Sequence, residues 1–188
     1  PPAVEGGTAY FATNLGALAA VDAATGRPRW VHRYPAFHTY LRASLAERRW
    51  RWANEPPVAA GGRVLAAPQD AATLIALRAD TGELAWTAPR QGALYLIGSE
   101  DRLLLAGPTL AALDPRTGKR LWDAALPDAP CGRPVLGPAA AFVPTRSALL
   151  AAATANGALA SCRQWPDDEA GGNTALAGGR LFIVSHDR

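Results

Sequence analysis

Ala20-Val21-Asp22-Ala23-Ala24-Thr25-Gly26-Arg27-Pro28-Arg29-Trp30 is one of three copies of the same eleven-residue phrase. The others are Ala76-Leu77-Arg78-Ala79-Asp80-Thr81-Gly82-Glu83-Leu84-Ala85-Trp86 and Ala112-Leu113-Asp114-Pro115-Arg116-Thr117-Gly118-Lys119-Arg120-Leu121-Trp122. A worn fourth copy runs from Ala151 to Ser161, with Asn156-Gly157 in place of Thr-Gly and Ser161 in place of Trp. Each copy reads as an apolar strand, a turn, and a second short strand ending in Trp. Glycine supplies the positive φ of the turn. The Asp or Thr side chain is placed to hydrogen-bond the turn backbone. The second strand returns antiparallel, and its indole brings a large apolar area and one N–H that needs an acceptor. A single hairpin cannot bury that ring, so neighbouring copies must. Trp30, Trp86 and Trp122 are therefore expected to be largely buried at repeat junctions, each near the end of a strand. Gly26, Gly82 and Gly118 should occupy equivalent turns.

The spacing extends the repeat to the whole chain. Gly82 to Gly118 is 36 residues and Gly118 to Gly157 is 39. Arg63, Arg102 and Arg180 open equivalent strands at intervals of 39 and 78. A period near 39 with no helical pattern inside it is that of a β-propeller blade. Strands are expected over 8–13, 17–22 and 27–31, then 63–67 and 73–78, 102–106 and 109–114, 140–143 and 147–152, and 180–185. Pro68 marks a strand end, because proline is disfavoured inside a sheet. The phrase A-x-D-x-x-T-G-x-x-x-W resembles the repeat of pyrroloquinoline-quinone-like (PQQ-like) β-propellers. That resemblance implies an all-β fold of four-stranded antiparallel blades in which each Trp docks on the adjacent blade. The chain supplies blades near 3–31, 58–87, 95–123 and 133–162 and part of a fifth near 174–188, as one domain over 1–188. An eight-bladed ring needs about twice this length. The resemblance therefore implies that the chain is part of a larger protein, or that two copies complete a ring.

Gly26 to Gly82 is 56 residues, so about 17 to 20 are extra, and they fall in an insertion over 32–57. This stretch interleaves arginines with aromatics, and Leu41 to Arg49 suits about two turns of helix. Arg, Trp and Tyr are the residues that interface hot spots use. Tyr40, Arg48, Arg49, Trp50 and Trp52 are thus the candidate partner-binding residues. The other reading of the stretch is a solvated flap whose aromatics pack on their own blade.

The remaining residues offer little chemistry. There are 19 Lys+Arg against 16 Asp+Glu, a net charge of +3, which does not argue for nucleic acid. Two cysteines, Cys131 and Cys162, show no metal-ligand spacing. They admit a disulfide, although two free thiols are the favoured reading. No apolar run is long enough for a membrane-spanning helix. His32 and His38 fall in the insertion and His186 at a strand end, none with a carboxylate placed to orient it. Asp167-Asp168-Glu169 is the densest acidic run and reads as a solvated loop rather than a spaced calcium site. Asp22 and Asp114 recur with the repeat and read as turn formers.

PQQ-like propellers include quinoprotein dehydrogenases, outer-membrane assembly lipoproteins and sensor domains. The dehydrogenases hold their quinone with a calcium site, a catalytic Asp and, commonly, a vicinal disulfide. Cys131 and Cys162 are not adjacent, and no such calcium set can be placed here. The expectation is a non-enzymatic scaffold of the bacterial cell envelope, without cofactor, acting on a protein partner or by self-association. The alternatives are a fragment of a quinone-dependent dehydrogenase, which would need PQQ and Ca²⁺, and an extracytoplasmic sensor domain.

Overall fold

The computed structural model describes residues 2–13, 15–36, 55–166 and 171–184. Among them there are eighteen strands and no helix. By packing, the chain falls into two compact units: Pro1–Gln91 with Pro115–Gly118, and Gly92–Asp114 with Lys119–Arg188.

The first unit contains two four-stranded antiparallel sheets. One is β1 (Ala3–Glu5), β2 (Thr8–Ala12), β3 (Ala17–Asp22) and β4 (Pro28–Arg33), in sequence order. The other is β5 (Val58–Ala60), β6 (Arg63–Ala66), β7 (Thr73–Arg78) and β8 (Leu84–Pro89). Between them lies an apolar core. Tyr10, Ala20 and Val64 pack with Trp30, and Leu18, Tyr34, Ala66, Ile75 and Leu77 continue the layer.

The second unit repeats the plan. Its sheets are β9 (Tyr95–Gly98), β10 (Leu103–Ala106), β11 (Thr109–Leu113) and β12 (Arg120–Ala125), then β13 (Val135–Leu136), β14 (Ala140–Pro144), β15 (Ala148–Ala153) and β16 (Leu159–Gln164). A hairpin of β17 (Asn173–Ala177) and β18 (Arg180–Val184) follows. Leu104, Ala112 and Ala141 pack with Trp122 on one side of this core, and Leu110, Val143 and Ala152 on the other. The hairpin is fastened to the fourth sheet by main-chain and side-chain bonds. Asn173 Oδ1 accepts from Arg133 N at 2.9 Å, and Thr174 donates to Arg133 O through both its N and its Oγ1. Gly132 lies where any Cβ would stand 2.2 Å from the Gly172 backbone, so glycine is required there by space alone.

Two details differ from the expected reading. The tryptophans do not end their strands. Each stands third in a six-residue strand, β4, β8 or β12, and the strand continues to Arg33, Pro89 or Ala125. His32 consequently lies in β4 rather than in the insertion. The reason is that the outer strand pairs along its whole length: Ala17↔Arg33 and Ala19↔Val31 extend the ladder well past Ala20↔Trp30. The indoles are also only partly buried.

A bulge sets the indole direction. In β3–β4 the register shifts from Ala20↔Trp30 to Val21↔Pro28, which leaves Arg29 as the extra residue. Ala85 and Leu121 hold the same place before Trp86 and Trp122. Such bulges bend the strand and re-aim the neighbouring side chain. In the fourth sheet the shift lies between Leu149 and Leu150, which makes Cys162 the extra residue, after Ser161 rather than before it. The copy that lost its Trp also lost the bulge that would aim one.

Candidate interaction site

The residues predicted to bind a partner, Tyr40, Arg48, Arg49, Trp50 and Trp52, lie outside the described residues, as do the expected helix over 41–49, His38, His186 and the acidic run 167–169. The described root of the insertion is firmly held. Asp70, only 2% exposed, accepts from Tyr34 Oη at 2.8 Å through Oδ1 and from Gly16 N at 2.9 Å through Oδ2. Tyr34 N in turn donates to Gly16 O at 2.9 Å. One buried carboxylate thus fixes the exit of β4 and the β2–β3 turn together. Sequence reading missed this role of Asp70, because its partners are 36 and 54 residues away.

The repeated residues form a socket. Trp30 Nε1 donates to Ala79 O at 3.0 Å, and a Cβ on Gly82 would stand 2.6 Å from Cδ2 of that ring. Trp86 makes the same pair of contacts with Pro115 O, at 3.1 Å, and Gly118. Trp122 does so with Thr154 O, at 2.9 Å, and Gly157. Three of the four turn glycines therefore have two reasons to be glycine. The φ is 71–76° in all four turns, and at three of them an indole occupies the Cβ space. Gly26 has the turn geometry alone, with nothing within 4 Å of its Cβ position.

The turns are stiffened by their polar residues. Asp22 Oδ1 accepts from Ala24 N, Thr25 N and Thr25 Oγ1, and its Oδ2 accepts from Arg29 at 2.7 Å. Arg29 first, and then Thr25, hold this carboxyl well below the usual carboxylate range. In the worn copy Asn156 Oδ1 accepts from Ala158 N at 3.0 Å, the same i to i+2 link that Thr25 Oγ1 makes to Arg27 N.

The face of the first sheet that carries the Gly26 side of this pattern is exposed. Ala9 aligns with Val4 and Val21, and Ala19 with Phe11 and Val31. Val4 is 64% and Val31 60% exposed, with Phe11 at 37%. In the second sheet the register-equivalent positions, Ala59, Val64, Ala66, Ile75 and Leu77, pack on Trp30 and its neighbours. The first sheet thus carries exposed apolar residues at the positions that receive an indole in the second sheet.

Little in the described residues is arranged for chemistry. Among them no group of three or more His, Cys, Asp or Glu is placed to hold a metal ion. Cys131 and Cys162 are both free thiols. Burial pushes the Cys131 thiol up, and it donates to Thr145 O at 3.1 Å, an oxygen that also receives Trp165 Nε1 at 2.8 Å. Asp128 clamps the β14–β15 turn by accepting from Arg146 N at 2.7 Å and from the Ser147 hydroxyl. No described helix is long and apolar enough to cross a membrane.

Antiparallel four-stranded sheets joined by repeated indole sockets define a β-propeller of the PQQ-like class. The chain belongs to the family described as outer membrane protein assembly factor BamB, whose model matches residues 1–188. Among solved structures it is similar to BamB from Moraxella catarrhalis, at 18% identity and a TM-score of 0.73, over 98% of this chain and 55% of that one. It is similar to the quinohemoprotein alcohol dehydrogenase ADHIIG from Pseudomonas putida HK5, at 15% identity and a TM-score of 0.58, over 98% of this chain and 38% of that one. The computationally designed Ika4 protein matches 69% of this chain with 82% of its own, at 12% identity and a TM-score of 0.58. The chain thus spans little more than half the length of the Moraxella protein, and these likenesses concern the fold. Among curated proteins, none matches the sequence.

Proposed function

We propose that this chain is a non-enzymatic propeller scaffold of the bacterial cell envelope that works by binding protein. The observation that supports this reading is the employment of its repeated residues. Every repeated Trp engages a main-chain carbonyl, three of the four turn glycines seat an indole, and Asp22 ties up its own turn. The features that recur in this chain are architectural. Its family membership points the same way, since the family is described as an assembly factor of outer membrane protein.

In this reading the contacts to partners are made by the insertion, through Tyr40, Arg48, Arg49, Trp50 and Trp52. The exposed Val4–Phe11–Val31 face supports self-association as a second mode. A photo-crosslinking residue at position 50, installed in the protein in its own cell envelope, should yield discrete protein adducts. Those adducts should weaken in the Arg49→Ala background while the melting temperature holds. Absence of adducts with a folded protein would count against the insertion. A saturable rise in melting temperature that requires both PQQ and Ca²⁺ would overturn the non-enzymatic reading in favour of a dehydrogenase, because only a native-state site produces one.

A further inference from the structure

No Asn-Gly pair occurs in the chain except Asn156-Gly157, and it stands where the other three copies of the phrase carry Thr-Gly. In the turn the two residue types do the same work. Asn156 Oδ1 accepts from Ala158 N at 3.0 Å, as Thr25 Oγ1 accepts from Arg27 N and Thr81 Oγ1 from Glu83 N. Their chemistry differs. The amide carbon of asparagine is an electrophile, and the main-chain nitrogen of the next residue can close on it to a five-membered imide. That closure is easiest before glycine, which has no side chain to crowd the approach and the freest backbone. Threonine offers no such carbon.

In this step a bond forms between Gly157 N and Asn156 Cγ, and the Cγ–Nδ2 bond breaks. The amide leaves as ammonia, taking the proton of Gly157 N. Water then opens the imide at one of its two carbonyls and gives aspartate or isoaspartate. Nothing is oxidised or reduced.

The fold opposes the first bond. Gly157 N donates to Ala153 O at 2.8 Å, so the attacking nitrogen is already committed. The bond from Ala158 N restrains the Asn156 side chain. Ala153 N donates to Ala158 O at 2.9 Å, and Thr154 is tied to Ala139 O through both its N and its Oγ1. The Trp122 ring lies where a Cβ on Gly157 would stand, 2.5 Å from Cε3, and its Nε1 donates to Thr154 O at 2.9 Å. Asn156 is exposed and Gly157 buried. Water therefore reaches the amide while the nitrogen that must attack it stays covered.

We infer that Asn156 is a site of spontaneous deamidation that the Trp122 socket holds in check, so that the modification records openings of this turn. The two products act differently. Aspartate keeps an oxygen for Ala158 N and leaves the turn as it is. Isoaspartate routes the main chain through Cβ, which adds one atom to the turn and draws Gly157 off the indole. In that form the opening becomes permanent. The inference is independent of the scaffold reading.

Mass spectrometry and enzymatic methylation of isoaspartate, applied to the wild-type chain in mild alkali, test it. Product should form at Asn156, slower by a factor of about ten or more in the folded chain than in urea, because reaction waits on local opening. Hydrogen exchange at Gly157 N, read on the same unaltered protein, should be slowed with it. Trp122→Phe, which loses the bond to Thr154 O, should speed the reaction in the folded chain, and Asn156→Thr should abolish it. The purified isoaspartate form should melt below Asn156→Asp. Equal rates in the folded chain and in urea, or an unchanged rate in Trp122→Phe, would overturn the control by the socket. Product that persists in Asn156→Thr would overturn the site, and equal melting of the two product forms would overturn the permanent opening.

Discussion

Trp30 lies beneath the turn that carries Gly82, so close that a methyl group on that glycine would stand 2.6 Å from its ring. This single relationship explains why Thr-Gly and Trp travel together in the sequence. Glycine at 82 serves the neighbouring repeat as much as its own turn. Gly26 has the same φ, near 71°, and an open Cβ position. Gly26→Ala should therefore cost about 1 kcal/mol, the ordinary penalty of a left-handed non-glycine residue. Gly82→Ala should cost at least twice that, since the indole or the turn must move. Chemical denaturation of the two variants measures the difference; equal losses would mean the ring yields freely.

The indole contributes area and a hydrogen bond separately. Trp86→Phe keeps most of the ring and removes the 3.1 Å bond to Pro115 O, so it should cost about 1–2 kcal/mol. Trp86→Ala should cost about 3 kcal/mol, the low end for aromatic truncation, because the ring is partly exposed. Unfolding midpoints of the pair would check the order, and a near-zero loss for Trp86→Ala would show that the socket carries no stability.

At the root of the insertion, Tyr34→Phe should cost about 1 kcal/mol by removing one donor from Asp70. Asp70→Ala should cost about 2–4 kcal/mol, because it takes an acceptor away from both the Gly16 N–H and the Tyr34 hydroxyl. Hydrogen exchange at Gly16 should quicken in the alanine variant more than in Tyr34→Phe. If exchange there is unchanged, the carboxylate is not what holds the turn.

Asp22 gives a pH dependence of known sign. Its folded-state pKa is depressed, first by Arg29 and then by Thr25. Its contribution is therefore complete above the ordinary carboxylate range and is lost as pH falls toward the depressed value. The stability gap between wild type and Asp22→Asn should be constant from pH 5 upward, taking the ordinary carboxylate pKa as about 4, and close progressively in acid. The pair is exposed, so added salt should narrow the gap as well. A gap that widens in acid would reverse the assignment.

Much of the blade was legible from residues 20–30 and their copies, because a turn glycine and a large aromatic at fixed spacing have few other uses. The strands Ala17–Asp22 and Thr73–Arg78 agree with their expected bounds, since both are apolar runs ended by turn residues. The inner strands were not legible. Val58–Ala60 and Val135–Leu136 are three and two residues long and carry no alternation, so only their neighbours make them strands. The bulge before each Trp was equally hidden, since a one-residue shift in pairing leaves no mark on composition. Asp70 and Tyr34, 36 residues apart, are brought together by sheet packing across a distance that no local pattern encodes. The partner residues of the insertion, by contrast, were read from composition alone, and Tyr40 to Trp52 lie outside the described residues.

The most direct measurement is a double-mutant cycle on Trp86 and Gly118, with Trp86→Ala, Gly118→Ala and the double variant compared by denaturant unfolding. If the indole is what excludes a side chain from the turn, Gly118→Ala will be costly in the wild-type background. It should cost only the backbone penalty, about 1 kcal/mol, once Trp86 is alanine. Costs that simply add would contradict the socket, and with it the view that the repeated residues of this chain exist to join one blade to the next.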